Sequence, residues 1–282
     1  MILIADSGST KTNWLLSDGK DFKLDVITCG FNPFFHDTPY VLNEISKSAD
    51  LVKYAAQVKT LKFYGSGCSS SDRKKIIADA FTTFFPNADV MVDHDMLGAA
   101  IAACFDEPGL VAILGTGSNI AYWDGSKISP TNHGLGYILG DEGSGSFYGR
   151  KLISHFLYGV MPEELSKLFY EEYKMDKEKA IDNVYHKPNA NVYLASFAKF
   201  LSVQPNHPYV KNLLLTGLTE FVDTSVLAYP QHKQYPVHFI GSIAYNFKPI
   251  LEDLALQKGF KVGKVIVKPV EELLTYFLQK KK

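Results

Sequence analysis

The chain has 282 residues, 46% hydrophobic and 21% charged, with a formal net charge of −1. A chain of this length can bury roughly three quarters of its unfolded surface and suits two lobes better than one. Balanced charge gives no footing for nucleic acid or an anionic membrane as partner.

The amino terminus lacks the basic segment of a signal peptide, and no stretch approaches the roughly twenty apolar residues of a membrane helix. A soluble, cytoplasmic protein is expected. Cys29, Cys68 and Cys104 lie far apart without CxxC or CxxH spacing. That is the pattern of reduced thiols rather than of a disulfide framework or a zinc site. The basic run Lys280 to Lys282 reads as a solvated, frayed tail.

An apolar strand from Ile2 runs into Asp6, then a small-residue turn, Ser7-Gly8-Ser9-Thr10, and apolar character returns at Trp14 to Leu16. This predicts a strand-turn-strand hairpin. Gly8 allows close backbone approach, so successive N–H groups from Ser7 to Thr10 can face one anion. Asp6 would sit beside that anion, an unfavourable place for a carboxylate unless a cation lies between them. The same stretch also reads as an ordinary polar turn.

A turn at Asp18-Gly19-Lys20 and a third meander strand, Lys23 to Thr28, follow. The spacing then predicts a helix over 39–57, a strand over 61–64, a helix over 72–85, a strand over 88–92 and a small-residue helix over 95–104. Strands alternating with helices call for a partly parallel sheet with helices packed on it.

The opening pattern recurs. Leu110 to Leu114 is a buried-type strand, Gly115-Thr116-Gly117-Ser118-Asn119 a small-residue turn, Ile120 to Trp123 a returning strand, and Asp124-Gly125-Ser126-Lys127 the next turn. Strand, turn and following turn repeat in order, which implies duplication. A glycine-rich loop over 134–145 carries Asp141 and Glu142, and a helix over 144–158 starts with Ser144 or Ser146 as its cap. Helical spacing covers 162–201, broken near Pro188, and 209–226. A strand over 237–240, the turn Gly241-Ser242, a helix over 243–257, a strand over 265–267 and a helix over 271–278 complete the chain. The boundary between lobes is expected as a hinge near Glu107-Pro108-Gly109, giving lobes of 1–107, joined by a terminal helix over 268–282, and 108–267.

Asp6 to Thr12, Leu114 to Asn119 and Phe239 to Ser242 resemble the two phosphate motifs and the adenosine motif of the actin-like ATPases: sugar kinases, Hsp70 and actin. With Gly30-Phe31-Asn32, the Asp95 helix and Gly140-Asp141-Glu142-Gly143-Ser144, the chain is most similar to the N-acetylglucosamine kinases and the related BadF/BcrA-type ATPases. The resemblance implies an α/β, duplicated, ribonuclease H-like fold of two lobes, with a cleft for ATP, magnesium and sugar between them, and a homodimer.

It further implies roles for single residues. Ser7, Gly8, Ser9, Thr10 and Lys11, with Gly115, Thr116, Gly117 and Ser118, are the phosphate-side positions, and Gly241 and Ser242 the adenosine side. Asp6 falls on the magnesium side. Asp95 is the expected catalytic base, although Asp93 competes and either carboxylate can simply cap the helix. Asn32, Asp95, Thr116, Gly117, Tyr137 and Asp141 are the sugar positions; His133 reads as structural, with no partner indicated.

The implied activity is ATP-dependent phosphorylation of the primary hydroxyl of an amino sugar, N-acetylglucosamine first, with glucosamine or N-acetylmuramic acid as alternatives. A BadF/BcrA-type ATPase coupled through an iron–sulfur cluster needs paired cysteines, which these three do not form. Pro269 to Leu273 departs from the Ala/Gly-rich segment usual in relatives, which puts the detail of the nucleotide side in doubt.

Overall fold

The computed structural model describes residues 1–280; Lys281 and Lys282, the end of the expected basic tail, lie outside the described residues. Lys280 closes the last helix and pairs with Asp106 at 2.7 Å, so it is held rather than frayed. The chain divides into two compact units. One holds Met1–Pro108, Trp123–Ile128 and Ile266 onward, and the other Gly109–Tyr122 and Ser129–Val265.

The first unit starts with strands β1 (Ile2–Ser7), β2 (Lys11–Ser17) and β3 (Lys23–Cys29). Helices α1 (Thr38–Ser46) and α2 (Ala49–Tyr54) follow, then β4 (Thr60–Gly65), α3 (Ser71–Phe84), β5 (Asp89–His94) and α4 (Asp95–Cys104). The single helix expected over 39–57 is broken because Ser48 turns out of it and caps α2, accepting the Leu51 N–H. The sheet order is β3-β2-β1-β4-β5. β1 and β2, and β2 and β3, pair antiparallel, while β1–β4 and β4–β5 are parallel.

Alternation along β1 sorts its residues between faces. Leu3 and Ala5 join Trp14, Phe31, Phe63 and Phe81 in one aromatic core. Asp6 belongs to the opposite set, with Ile2 and Ile4. In this unit, Trp123 Nε1 donates to the Phe105 carbonyl at 3.0 Å.

The second unit carries β6 (Gly109–Leu114), β7 (Ser118–Trp123), the short α5 (Gly136–Leu139) and α6 (Gly145–Leu157). Ser144, not Ser146, is the α6 cap, accepting the Phe147 N–H at 3.2 Å. The helical region after it resolves into α7 (Glu163–Tyr173), α8 (Lys177–Ile181), α9 (Ala190–Ser196) and α10 (Pro208–Phe221). Then come β8 (Val237–Ile240), α11 (Ser242–Asn246), α12 (Lys248–Lys258) and β9 (Val262–Ile266), before α13 (Val270–Lys280) returns to the first unit. Pro249 separates α11 from α12, since proline lacks the N–H to continue the first helix and suits the start of the second. The sheet order is β7-β6-β8-β9, with β6 parallel to β8. Among the described residues, no helix is long and apolar enough to cross a membrane.

Candidate active site

The turn after β1 is built from within. Ser7 is fully buried, and its Oγ shares a 2.7 Å hydrogen bond with Thr12 Oγ1 and accepts the Phe31 N–H at 2.9 Å. Its hydroxyl is therefore engaged as a brace within the turn. Gly8 N–H closes the turn on the Lys11 carbonyl at 3.0 Å. Gly8, Thr10 and Lys11 stand exposed on the outer side, with Ser9 half-buried.

Behind this turn lie two carboxylates. Burial, then the nearby Asp95, push Asp6 up to about 7, against the Lys11 charge and a hydrogen bond from Asn13. Burial also raises Asp95, which is held by Ser66 Oγ at 3.1 Å and by the Met96 N–H at 2.9 Å. Capping of α4 is done by His94, whose Nδ1 accepts the Leu97 N–H. The competitor Asp93 is tied to Lys74 at 2.7 Å. Asp95 thus has neither the helix cap nor the Lys74 ion pair to serve, and keeps its bonds to Ser66 and Met96.

Two half-buried carboxylates, one of which feels the charge of the other, raise the question of a cation. Among the described residues, no group of three or more His, Cys, Asp or Glu could hold a metal ion. Magnesium needs less, since it keeps several waters and takes one or two carboxylates plus phosphate oxygens. Asp6, next to a buried Asn13 carbonyl oxygen with no hydrogen-bond partner, fits such a hydrated ion.

Asn32 is 8% exposed, and its Oδ1 accepts the Phe34 N–H at 3.0 Å while its own N–H donates to His36 Nδ1. These bonds shape the loop and leave the side-chain amide nitrogen for a ligand. Cys68, buried beside Asp95, has its thiol pushed up to about 12 by burial and by that carboxylate, so it stays protonated and inert.

The turn after β6 has a different support. Asp141 reaches under it, and its Oδ1 accepts the Ser118 N–H at 3.0 Å. Ser146 Oγ lies 3.5 Å from its Oδ2. A Cβ on Gly117 would meet this carboxylate at 2.8 Å, so the close approach requires glycine. Gly145 and Ser146 donate their N–H groups to the carbonyls of Gly115 and Thr116, fastening the turn to the start of α6. Asp141 itself adopts a left-handed backbone, φ 63°, a conformation Asp tolerates better than most residues. Ser118, expected at the phosphate, thus has its N–H on Asp141 and is 7% exposed.

Gly241 follows β8 with φ 119°, and a Cβ there would strike the Leu114 carbonyl oxygen at 2.4 Å. Only glycine lets the two strand ends converge. Ser242 is exposed at the first position of α11.

Within the second unit a cavity of about 230 Å³ is lined by Ser118, Asn119, Asn132, His133, Gly134, Leu135, Gly140, Asp141, Glu142, Thr224 and Ser225. Asn119, Asn132 and Glu142 are candidate ligand contacts that the motif reading did not name or left undecided. Asn119 closes the recurrent Gly-Thr-Gly-Ser-Asn turn, which was the available signal; Asn132 sits in a loop with none. Tyr137, expected at the sugar, is half-buried and packs on the core of this unit. His133 does have partners: Thr131 Oγ1 at 3.1 Å, the Thr224 carbonyl at 3.2 Å and the Tyr229 ring. A smaller cavity on α6 and α10, about 120 Å³, contains none of the residues named from sequence.

A solved structure from Porphyromonas gingivalis, provisionally assigned as an N-acetylglucosamine kinase, is 37% identical over 100% of both chains, with a TM-score of 0.92. The chain belongs to this family of actin-like ATPases. More distant structures share the fold. A Chromobacterium violaceum protein, also provisionally assigned as an N-acetylglucosamine kinase, has 17% identity, 98% coverage of each chain and a TM-score of 0.70. A ROK hexokinase from Thermus thermophilus has 15% identity, 99% coverage of each chain and a TM-score of 0.50. No family model and no curated protein matches the sequence. The duplicated actin-like fold expected from the two hairpins is thus the family's fold.

Proposed function

We propose that the protein is an ATP-dependent sugar kinase whose acceptor is the primary hydroxyl of N-acetylglucosamine. The observation that carries this reading is the state of Asp95: half-buried, its pKa raised by desolvation, held by Ser66, and relieved of capping by His94. A base whose pKa moves toward the operating pH transfers protons most effectively. Asp95 takes the hydroxyl proton as the sugar oxygen attacks the γ-phosphorus, the role an Asp fills in kinase chemistry generally.

Gly8 lets the turn approach the nucleotide phosphates, Ser9 and Thr10 line it and Lys11 adds its charge, and Gly241 leaves room for the adenine against its backbone. Asp6 would hold a hydrated magnesium, which when bound neutralises charge on the phosphates. Sugar hydroxyls both donate and accept, so the amides of Asn32, Asn119 and Asn132 with the carboxylates of Asp141 and Glu142 suit them. The same amides, beside the Leu135 side chain, suit an acetamido group. Asp141 and Glu142 disfavour a sugar bearing a carboxylate, which ranks N-acetylmuramic acid lower.

A coupled ADP-release screen across N-acetylglucosamine, glucosamine, N-acetylmuramic acid and plain hexoses, with magnesium present, tests the reading. N-acetylglucosamine should give the highest kcat/KM. Hydrolysis that ignores sugar, or no response to any sugar, overturns it.

A further inference from the structure

Asn13 is 6% exposed and faces Asp6 in the β1–β2 register. Its side chain hydrogen-bonds to the Asp6 carboxylate. A carboxylate that holds a cation is ionised and only accepts, so in that state the Nδ2 end is the one that faces it. Oδ1 is left over, and it is buried without any hydrogen-bond partner; the Gln231 Oε1 atom is the other such side-chain atom among the described residues. Buried polar groups in folded proteins are nearly always paired, with water or a ligand where protein offers nothing. A phosphate oxygen cannot fill this position, because it too only accepts. The partner must bring a proton or a positive charge to a point beside Asp6.

Resting on the kinase reading, we propose that Asn13 is a positioning residue of the metal–nucleotide site, receiving, at Oδ1, a hydrogen bond from a water of the hydrated cation. Loss of an outer group of this kind typically costs about 10- to 100-fold in metal affinity.

The test is a titration of Mn²⁺ into protein plus ADP without sugar, following free Mn²⁺ by electron paramagnetic resonance. Asn13→Leu, similar in size but without an acceptor, should raise the half-saturating Mn²⁺ concentration about 10- to 100-fold. Asn13→Asp keeps an acceptor on that side and should stay near the wild type. Metal-free ADP binding should be unchanged in Asn13→Leu. Wild-type affinity in Asn13→Leu overturns the proposal. So does the reverse order, with Asn13→Asp the weaker, because that is what a mere brace for Asp6 produces when a second carboxylate replaces the donor. If Asn13→Leu does not fold, as judged by thermal unfolding in chelator, Asn13→Asp decides alone: retained affinity supports the proposal and lost affinity overturns it. Asn13-dependent Mn²⁺–ADP binding without sugar phosphorylation would sink the kinase reading and leave this one standing, whereas a wild type that binds no Mn²⁺–ADP ends both.

Discussion

In the first unit the turn after β1 is held by Ser7 and Thr12, two hydroxyls 2.7 Å apart, whereas in the second the turn after β6 is held by the Asp141 carboxylate, 3.0 Å from the Ser118 nitrogen. The strand-turn-strand plan is the same and the chemistry beneath it is opposite. A neutral brace brings no charge of its own to the first turn, so its outer N–H groups can meet phosphate; on the proposed reading the local carboxylates, Asp6 and Asp95, serve a cation and a proton. A carboxylate brace repels phosphate and favours hydroxyl donors. This contrast supports a nucleotide role for the first turn and a sugar role for the second.

The largest expected effect breaks the chemistry and spares both turns. Asp95→Asn should bind ADP and sugar nearly as the wild type does and lose about 100- to 10,000-fold in turnover, the usual contribution of a general base. Stopped-flow phosphoryl transfer checks it, and near-normal turnover would remove Asp95 from the mechanism. Next come the braces themselves, compared by thermal unfolding. Asp141→Ala leaves the buried Ser118 N–H unpaired and should cost about 1–3 kcal/mol, together with a raised KM for sugar. Ser7→Ala removes neutral hydrogen bonds of about 0.5–1.5 kcal/mol each and should raise KM for ATP instead. Equal effects on both substrates from either variant would erase the proposed division between the turns.

The smallest effect sharpens the electrostatic side. Asp6 titrates at about 7 in the folded protein against an ordinary value of 3.8. The folded state therefore holds a proton over that window that the unfolded chain has released, so this group's stability contribution is full below about pH 4 and lost as pH rises through about 7. In chelator, Asp6→Asn should unfold a few degrees above the wild type at pH 8, and the gap should close by pH 4. A gap that is constant with pH would mean that Asp6 carries no such penalty.

Local pattern alone revealed the hairpins, the alternation of strands with helices and the duplication, because side-chain period and glycine-rich turns are written over a few consecutive residues. The helix break at Ser48 was harder to see, since a serine inside an apolar repeat becomes a cap only if the chain turns there. Sequence also named Asp6, Asp95, Asp141 and Gly241. The resemblance preferred Asp95 to Asp93, and only the structure shows that Asp93 is tied to Lys74 of α3 and that His94 takes the cap. Sequence could not place Ser7 inside its turn, draw Asp141 beneath Gly117, or gather Asn119, Asn132 and Glu142 into one cavity. Each of those depends on groups apart in the chain meeting at hydrogen-bond distance, which no local pattern of residues records.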